Sequence, residues 1–323
     1  MTAPGLMRVF HRLEDVPVQF GPTILSVGNF DGVHRAHARV LSEIVTRARN
    51  QGLRSLAVSF EPHPIRILRP DSGLKLLSPT PEKLRLLGAT GLDAVLLLPF
   101  TRDLSLLTPY RFAHDILKKA LKACEVHEGF NFRFGHQASG DVSMLQEFGR
   151  EMGFAVTVYS ELRLRGEPVS SSHIRKLVAQ GRVSRARHLL GRPFGVLSTP
   201  GRGRGYGSKY TVPTINLSHY EELVPGHGVY ITRARIGEEC FDSVTNIGNR
   251  PTFGTESYAV ESHVLNFHPI ELTAQTEIEI HFLQRLRDEI KFPSVEALRL
   301  QIGMDVKRAT RYFRSLKLKP QAV

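Results

Sequence analysis

Short apolar segments alternate with amphipathic ones over the first 160 residues of the chain. The apolar runs are rich in β-formers, and they lie at 23–27, 56–60, 94–98, 125–128 and 154–158. Between them, apolar residues recur at helical intervals. This spacing predicts helices from Ala36 onward and over 81–87, 110–121 and 144–152. Strands that alternate with helices predict an α/β domain built on a doubly wound parallel sheet.

The pattern changes after Phe194, where glycine and proline become frequent. Apolar and polar residues then alternate in short runs, at 228–236, 241–246, 260–267 and 276–282. Alternation of this kind is typical of antiparallel strands, and we expect a small β-barrel. A helical pattern over 295–313 predicts a helix that closes it. Because Gly191-Arg192-Pro193 interrupts the pattern, the predicted domains are 1–190 and 191–323.

Composition limits the class of protein. Hydrophobic residues make up 41% of the 323 residues, enough to bury real cores. No apolar run approaches the roughly 20 residues of a membrane helix, and the first 20 residues lack the pattern of a signal peptide. Cys124 and Cys240 have no metal-ligand spacing. They predict free thiols and a cytoplasmic location.

The chain is strongly basic, with a formal net charge of +12. Such charge suits nucleic acid or phosphate-bearing small molecules. The lysines and arginines are dispersed and form no basic tail, so nucleic acid is the less favoured partner. The sequence leaves the oligomeric state open, weak or transient self-association included.

Polar clusters follow three of the predicted strands, at 29–37, 61–64 and 130–141. Ligands of parallel sheets bind beyond the carboxyl ends of the strands, so these clusters predict one site. His34 and His37 stand three apart at a helix start, where they can hold phosphate oxygens and stabilise growing negative charge. Two histidines also suit a metal, but no third ligand lies nearby in sequence. Asn29 and Asp31 could alternatively only shape the turn.

Two further segments have the residues of phosphate sites. Ser170–Arg175 opens a helix, where serine caps the end and free N–H groups favour an anion. Later, the glycine-rich Gly201–Gly205 precedes a strand with Thr214 and Asn216 on one face. Their oxygens suit Mg²⁺. Alone, a glycine/arginine loop is more typical of a linker, and the serines more typical of a cap.

Together these motifs resemble the prokaryotic bifunctional riboflavin kinase/FAD synthetase family over nearly the whole chain. The matching strings are GNFDGVHRAH at 28–37, FEPHP at 60–64, GFNFRFG at 129–135 with Gly140-Asp141, SSSHIR at 170–175, GRG at 203–205 with PTIN at 213–216, VTNIGNRPTF at 244–253, VESH at 260–263 and RLRDEIKF at 285–292.

The resemblance implies a nucleotidyltransferase-like first domain, which joins FMN to AMP from ATP to make FAD and releases pyrophosphate. Its implied binding and catalytic residues are Gly28, Asn29, Asp31, His34, His37, Asn131, Ser171, Ser172 and Arg175. The second domain would be a riboflavin kinase-like barrel, which phosphorylates riboflavin to FMN with ATP, and both reactions would need Mg²⁺. Its implied residues are Gly203, Arg204, Thr214, Asn216, Glu261 and Arg287, with Thr214 and Asn216 on the metal and Glu261 as general base.

Three other functions stay open at this point. A kinase-only enzyme is favoured by Ala36, which stands where the family has glycine. A nucleic-acid binder or flavin-responsive regulator would explain the charge, but it leaves two phosphate-type clusters unexplained. A different adenylyl acceptor, such as a nicotinamide or pantetheine nucleotide, would suit the first domain but not the attached barrel.

Overall fold

The computed structural model describes residues 6–201, 214–252, 255–268, 270 and 272–317. For residues 249–252, 255–258 and 317 it describes only the backbone. The chain divides into two compact units, Met1–Ser171 and Ser172–Val323. Residues 172–190 therefore belong to the second unit. The functional boundary near residue 190 stays a prediction.

The first unit alternates strands and helices. Its strands are β1 Arg8–Phe10, β2 Thr23–Val27, β3 Arg54–Glu61, β4 Ala94–Pro99, β5 Ala123–Gly129, β6 Arg133–Phe134, β7 Gly140–Asp141, β8 Ala155–Tyr159, β9 Arg163–Leu164 and β10 Glu167–Pro168. Its helices are α1 Arg35–Gln51, α2 Pro64–Leu68, α3 Thr80–Gly88, α4 Arg102–Ser105, α5 Pro109–Arg111 and α6 Val142–Met152. A π-helical segment covers Phe112–Ala120, and 3-10 turns cover Leu13–Asp15, Pro70–Ser72 and His136–Ala138.

A six-stranded parallel sheet in the order β1-β4-β3-β2-β5-β8 forms the centre of this unit. One core packs α1 and α3 on one face, with Leu41, Ile44 and Leu87 fully buried. A second core packs the π-helical segment and α6 on the other, around Leu117 and Leu145. Helices on both faces confirm the doubly wound α/β prediction.

The strand order places the three polar clusters side by side. Strand β2 lies between β3 and β5, so the carboxyl ends that precede the clusters are adjacent. The chain leaves β2 toward β3 and β4, and later returns to β5 and β8 on the opposite side. The point between β2 and β5 is therefore the topological switch point, where ligands of such sheets bind.

The second unit combines two short helices, an antiparallel sheet and a long helix. Its elements are α7 Ser171–Ala179 (whose first residue ends the first unit), α8 Val183–Leu190, β11 Phe194–Ser198, β12 Thr214–Asn216, β13 Gly228–Ile236, β14 Glu239–Thr252, β15 Thr255–Val264, β16 Ile278–Arg287 and α9 Val295–Lys317. The sheet order is β11-β16-β13-β14-β15-β12.

The two edges of this sheet meet, as the predicted barrel requires. Gly201 N donates to Asn216 O at 2.8 Å, and Ser218 N donates to Thr199 O at 2.8 Å. Helix α9 covers one face, where Ala309 and Phe313 are buried against β13 and β14. Among the described helices, none has the length and apolarity needed to cross a bilayer.

A row of buried hydroxyl groups connects the central strands of the second unit. Thr232 Oγ1 lies 2.8 Å from Ser243 Oγ and 2.7 Å from Thr245 Oγ1, and Thr245 Oγ1 donates to Ser262 Oγ at 3.0 Å. All four residues are fully buried. Because side chains alternate along a strand, Ser262 on this side places Glu261 on the other.

In the first unit, α1 is fastened to β5 through Glu125. This carboxylate accepts hydrogen bonds from Arg47 Nε at 2.6 Å and Gln51 Nε2 at 2.6 Å, and it lies 3.1 Å from His127 Nε2. The bond from Arg47 is the largest cause that lowers the pKa of Glu125 to about 2, while burial opposes it.

We expect Glu125→Gln to lower the melting temperature by about 2–4 °C at pH 7. The folded pKa lies below the unfolded value of about 4.3, so this stabilisation is full above that value and is lost as the pH falls toward 2. Calorimetry should show that the difference in melting temperature between the variant and wild type shrinks from pH 7 to pH 3. Glu147→Gln, at an exposed position of α6, is the matched control. A difference in melting temperature that stays constant with pH would contradict the stabilising role of the Glu125 carboxylate.

Candidate active sites

The loop between β2 and α1 has an unusual backbone. Phe30, Gly32 and Val33 have φ angles of 48°, 78° and 36°. The left-handed region suits glycine, but it is costly for a β-branched residue, by about 1–3 kcal/mol. Such a conformation persists only where the surroundings hold it, so the contacts of this loop decide its shape.

Hydrogen bonds from both neighbouring strands hold the first part of the loop. Val27 N donates to Glu128 Oε1 at 2.6 Å, and Gly28 N donates to Val58 O at 2.9 Å. Ser59 Oγ donates to Asn29 O at 3.2 Å. The backbone is thus fixed before it enters the turn.

A reciprocal pair of contacts with residues 77–78 holds the second part. Asp31 Oδ1 accepts from Leu77 N at 2.9 Å and from Ser78 N at 3.1 Å. In return, Gly32 N donates to Ser78 Oγ at 3.0 Å. Ser171 Oγ donates to Asp31 O at 2.9 Å. The buried Asp31 carboxylate therefore shapes the turn, which was one of its two predicted roles.

His34 and His37 lie together at the start of α1, as predicted. His34 caps the helix, because its Nδ1 accepts from His37 N at 3.3 Å. An accepting Nδ1 assigns the proton of neutral His34 to Nε2. The two rings stack with centroids 3.6 Å apart. Burial, and secondarily the charge of a protonated His34, lowers the pKa of His37 well below the usual imidazole value.

Two polar atoms of this site are buried without a hydrogen-bond partner among the described residues. They are Asn29 Oδ1 and His37 Nδ1. Buried polar groups in proteins are almost always paired, so unpaired ones in the loop and first helical turn after a central strand indicate a ligand site. Both belong to residues that the motif singled out.

Lys83 adds a buried cation behind the loop. Its Nζ lies 3.1 Å from Ser59 Oγ and 3.4 Å from Phe60 O, with Glu61 Oε2 at 4.0 Å. Burial lowers the pKa of Lys83, and the charges of Glu61 and Asp31 oppose that shift. Since Ser59 in turn bonds to Asn29 O, this lysine supports the loop indirectly.

The remaining predicted residues of the first site are less constrained. Asn131 is exposed on the loop that follows β5, the strand beside β2. Ser172 and Arg175 lie one turn apart on α7, with Arg175 Nη1 3.5 Å from Ser172 Oγ, and both belong to the second compact unit.

Three of the predicted kinase residues, Thr214, Asn216 and Glu261, share one face of the barrel sheet. In the pairing of β12 with β15, Asn216 stands opposite Glu261 and Thr214 opposite His263. On the next strand, Asn246 also stands opposite Glu261. Directly opposed residues of an antiparallel pair have neighbouring side chains. Two amides and a carboxylate thus form a row across three strands.

This row fits a magnesium ion. Asn216 Oδ1 is buried and lacks a hydrogen-bond partner among the described residues. Mg²⁺ takes oxygen ligands and keeps several waters and phosphates, so one amide and the Thr214 hydroxyl are a suitable protein contribution. His, Cys, Asp and Glu side chains, by contrast, form no cluster of three in the described part of the chain.

Arg287 and the glycine/arginine loop complete the predicted set. The Arg287 guanidinium bonds to Asp305 of α9, with Nε at 2.9 Å and Nη2 at 2.8 Å from Oδ2. Asp305 is 2% exposed, so this pair fastens the long helix to β16. Gly203 and Arg204 lie outside the described residues.

Several residues of the two sites were not predicted. Ser78, Lys83 and Asn246 contribute through contacts between distant segments, and their local patterns are those of a turn, a helix surface and a strand. Glu128 had a visible signal, because Glu125-Val126-His127-Glu128 carries three ionisable residues in an interior strand of the sheet.

Comparisons with known proteins cover both units. A family model described as FAD synthetase matches residues 17–173, and one described as riboflavin kinase matches 190–313. The bifunctional riboflavin kinase/FMN adenylyltransferase of Escherichia coli strain K12 is 32% identical over 95% of this chain and 97% of its own. Those of Pseudomonas fluorescens and Listeria monocytogenes are 32% and 30% identical, over 94% and 91% of this chain and 97% and 93% of their own.

A solved structure described as a macrolide-efflux protein from Streptococcus pneumoniae has a similar fold. Its TM-score is 0.85, and the match covers 94% of this chain and 99% of that one. At 24% sequence identity, the likeness shows the fold alone.

We expect Asp31→Ala to loosen the loop, because the amides of Leu77 and Ser78 would lose their acceptor. Hydrogen exchange followed by NMR should then be at least about tenfold faster at these two amides and at Gly32. Asp71→Ala, at an exposed position nearby, should leave all three unchanged. Equal exchange in the Asp31 variant and wild type would contradict the role of this carboxylate.

Proposed function

This chain belongs to the bifunctional riboflavin kinase/FMN adenylyltransferase family, and on that premise we propose that its two reactions occur at the two sites described above. The enzyme phosphorylates riboflavin to FMN and adenylylates FMN to FAD. We assign adenylylation to residues 1–190 and the kinase to 191–323. The observation that carries this division is the pair of separate polar clusters, one beyond a parallel sheet and one on a barrel face.

In the adenylylation step, a phosphate oxygen of FMN attacks the α-phosphorus of ATP and pyrophosphate leaves. No covalent intermediate with the protein is needed, so positioning and charge stabilisation supply the rate. The Nε2–H of neutral His34 donates to phosphate oxygens, and the neutral ring of His37 donates its N–H to them as well. Burial lowers the pKa of unliganded His37 well below its usual value, so its ring is neutral before the nucleotide binds.

The other residues of this site bind the substrates. Gly28 and Asn29 offer backbone and amide groups at the end of β2, and Asp31 keeps the loop in shape. Asn131 contacts the nucleotide or the FMN phosphate from the loop after β5. Ser171, Ser172 and Arg175 bind phosphates, the arginine by two parallel hydrogen bonds.

In the kinase step, the 5′-hydroxyl of riboflavin attacks the γ-phosphorus of ATP and ADP leaves. Glu261 takes the hydroxyl proton as general base. Thr214 and Asn216 hold Mg²⁺, which neutralises charge on the phosphates when bound. Gly203 and Arg204 bind phosphates, and Arg287 supports the flavin pocket through α9. Opposition of Asn216 and Glu261 across the β12–β15 pair supports this arrangement.

We further propose a cytoplasmic location and small-molecule partners, namely riboflavin, FMN, FAD and ATP. Both cysteines, Cys124 and Cys240, are free thiols, which suits a reducing compartment.

Two substitutions test the division of labour in one assay with riboflavin, ATP and Mg²⁺. We expect Glu261→Gln to slow FMN formation by about 10²–10⁴-fold, because the base is lost, and to spare the conversion of added FMN to FAD. His37→Ala should slow FAD formation by about 10²–10³-fold and spare the kinase. Products are separated by chromatography. If each substitution impairs both steps alike, the two-site assignment is wrong.

The metal assignment makes a separate prediction. Asn216→Ala removes an amide ligand, so we expect the Mg²⁺ concentration for half-maximal kinase activity to rise at least about tenfold. Adenylylation by the same variant is the internal control and should keep its Mg²⁺ dependence. Direct titration with Mn²⁺ by electron paramagnetic resonance should show weaker binding. An unchanged Mg²⁺ requirement would remove Asn216 from the metal site.

A further inference from the structure

Strands β2 and β5 separate before their carboxyl ends. Their pairing runs through Thr23–Ala123, Ile24–Glu125 and Leu25–Val126 and ends there. On its other side, β2 stays paired with β3 as far as Val27 and Val58. The sheet therefore opens on one side only, at its switch point, directly before Gly28.

A carboxyl side chain bridges this opening. Val27 N donates to Glu128 Oε1 at 2.6 Å, where a continued ladder would offer a backbone carbonyl. The contact leaves the two strands apart and still pairs a buried N–H, which would be costly to leave unpaired. Backbone bonds to β3 and a side-chain bond to β5 thus hold the Val27–Gly28 segment from both sides.

The surroundings of Glu128 favour a neutral carboxyl group. The residue is 3% exposed. Alternation along β5 places it on the face of Val126, away from Glu125 and His127. Burial raises the pKa of Glu128 well above its usual value, while the Val27 hydrogen bond opposes that shift. A protonated carboxyl still accepts through its carbonyl oxygen and brings no negative charge to a site for phosphates.

We propose that Glu128 is a positioning residue for adenylyl transfer, which holds the Val27–Gly28 segment across the gap between β2 and β5. The crevice stays open for the nucleotide, and the loop that carries Asn29 and His34 starts from a fixed point. The proposal rests on the adenylylation function assigned to this loop. Glu128 itself need not touch the substrates.

A matched pair of variants separates the effect of the hydrogen-bond acceptor at position 128 from the effect of side-chain volume. Glu128→Gln keeps a neutral side chain with an accepting oxygen, and Glu128→Met keeps the length without an acceptor. We expect Glu128→Met to lower kcat/KM for FMN adenylylation about ten- to hundredfold, chiefly through kcat, because displaced reacting groups slow the chemistry. Glu128→Gln should stay within about threefold of wild type. Glu125→Gln changes a residue on the opposite face of β5. Its kcat/KM for FMN adenylylation, measured below its melting temperature, should also stay within about threefold of wild type.

Riboflavin kinase activity and the melting curve show that each variant is folded, and Glu128→Leu replaces the methionine variant if the latter fails to fold. Hydrogen exchange at the Val27 amide gives a readout that needs no adenylylation: it should be faster in Glu128→Met and unchanged in Glu128→Gln. The wild-type rate of FAD formation tests the proposed function, whereas the contrast between the two variants tests Glu128. Equal adenylylation and equal exchange in both variants would overturn the proposal, and so would a glutamine variant as impaired as the methionine variant.

Discussion

The first site depends on a strained turn that its neighbours hold in place. Val33, a β-branched residue, has a left-handed backbone two residues before α1. That turn directs the chain from the end of β2 into a helix whose first residues carry both histidines. It persists because Glu128, Ser59, Ser78 and Ser171 each bond to a different backbone group of residues 27–32. The histidines are thus placed by contacts that they do not make themselves.

The second site depends on register instead. Glu261, Asn216 and Asn246 meet because three strands pair in one alignment, and a slip of one residue would turn each side chain to the other face. The buried hydroxyl row behind them opposes such a slip, since it would bury unpaired hydroxyl groups. The two sites therefore position their phosphate-binding residues by different means: the first by the conformation of a loop, and the second by the register of a sheet.

Much of this was predictable from local patterns. The bounds of β2 and β13 agree with the sequence prediction, because each is a clear run followed by glycine. The motifs also placed His34, His37, Asn216 and Glu261 where the geometry groups them. Lys83 escaped prediction, because its role arises from burial and from contacts with segments distant in sequence. Glu128 lies in a strand with three ionisable residues, which was a signal, but only the structure shows that its partner is the Val27 amide. Asp31 had two predicted roles, and only its partners at 77–78 distinguish them.

The most direct test of the account is a crystal structure with Mg²⁺, FMN and a non-hydrolysable ATP analogue. We expect triphosphate oxygens within hydrogen-bond reach of His34 Nε2 and His37, and the backbone of residues 28–34 should keep its conformation. We also expect a second nucleotide and a metal ion beside Thr214, Asn216 and Glu261. Nucleotide bound away from both clusters, or a loop that rebuilds its backbone on binding, would contradict the account.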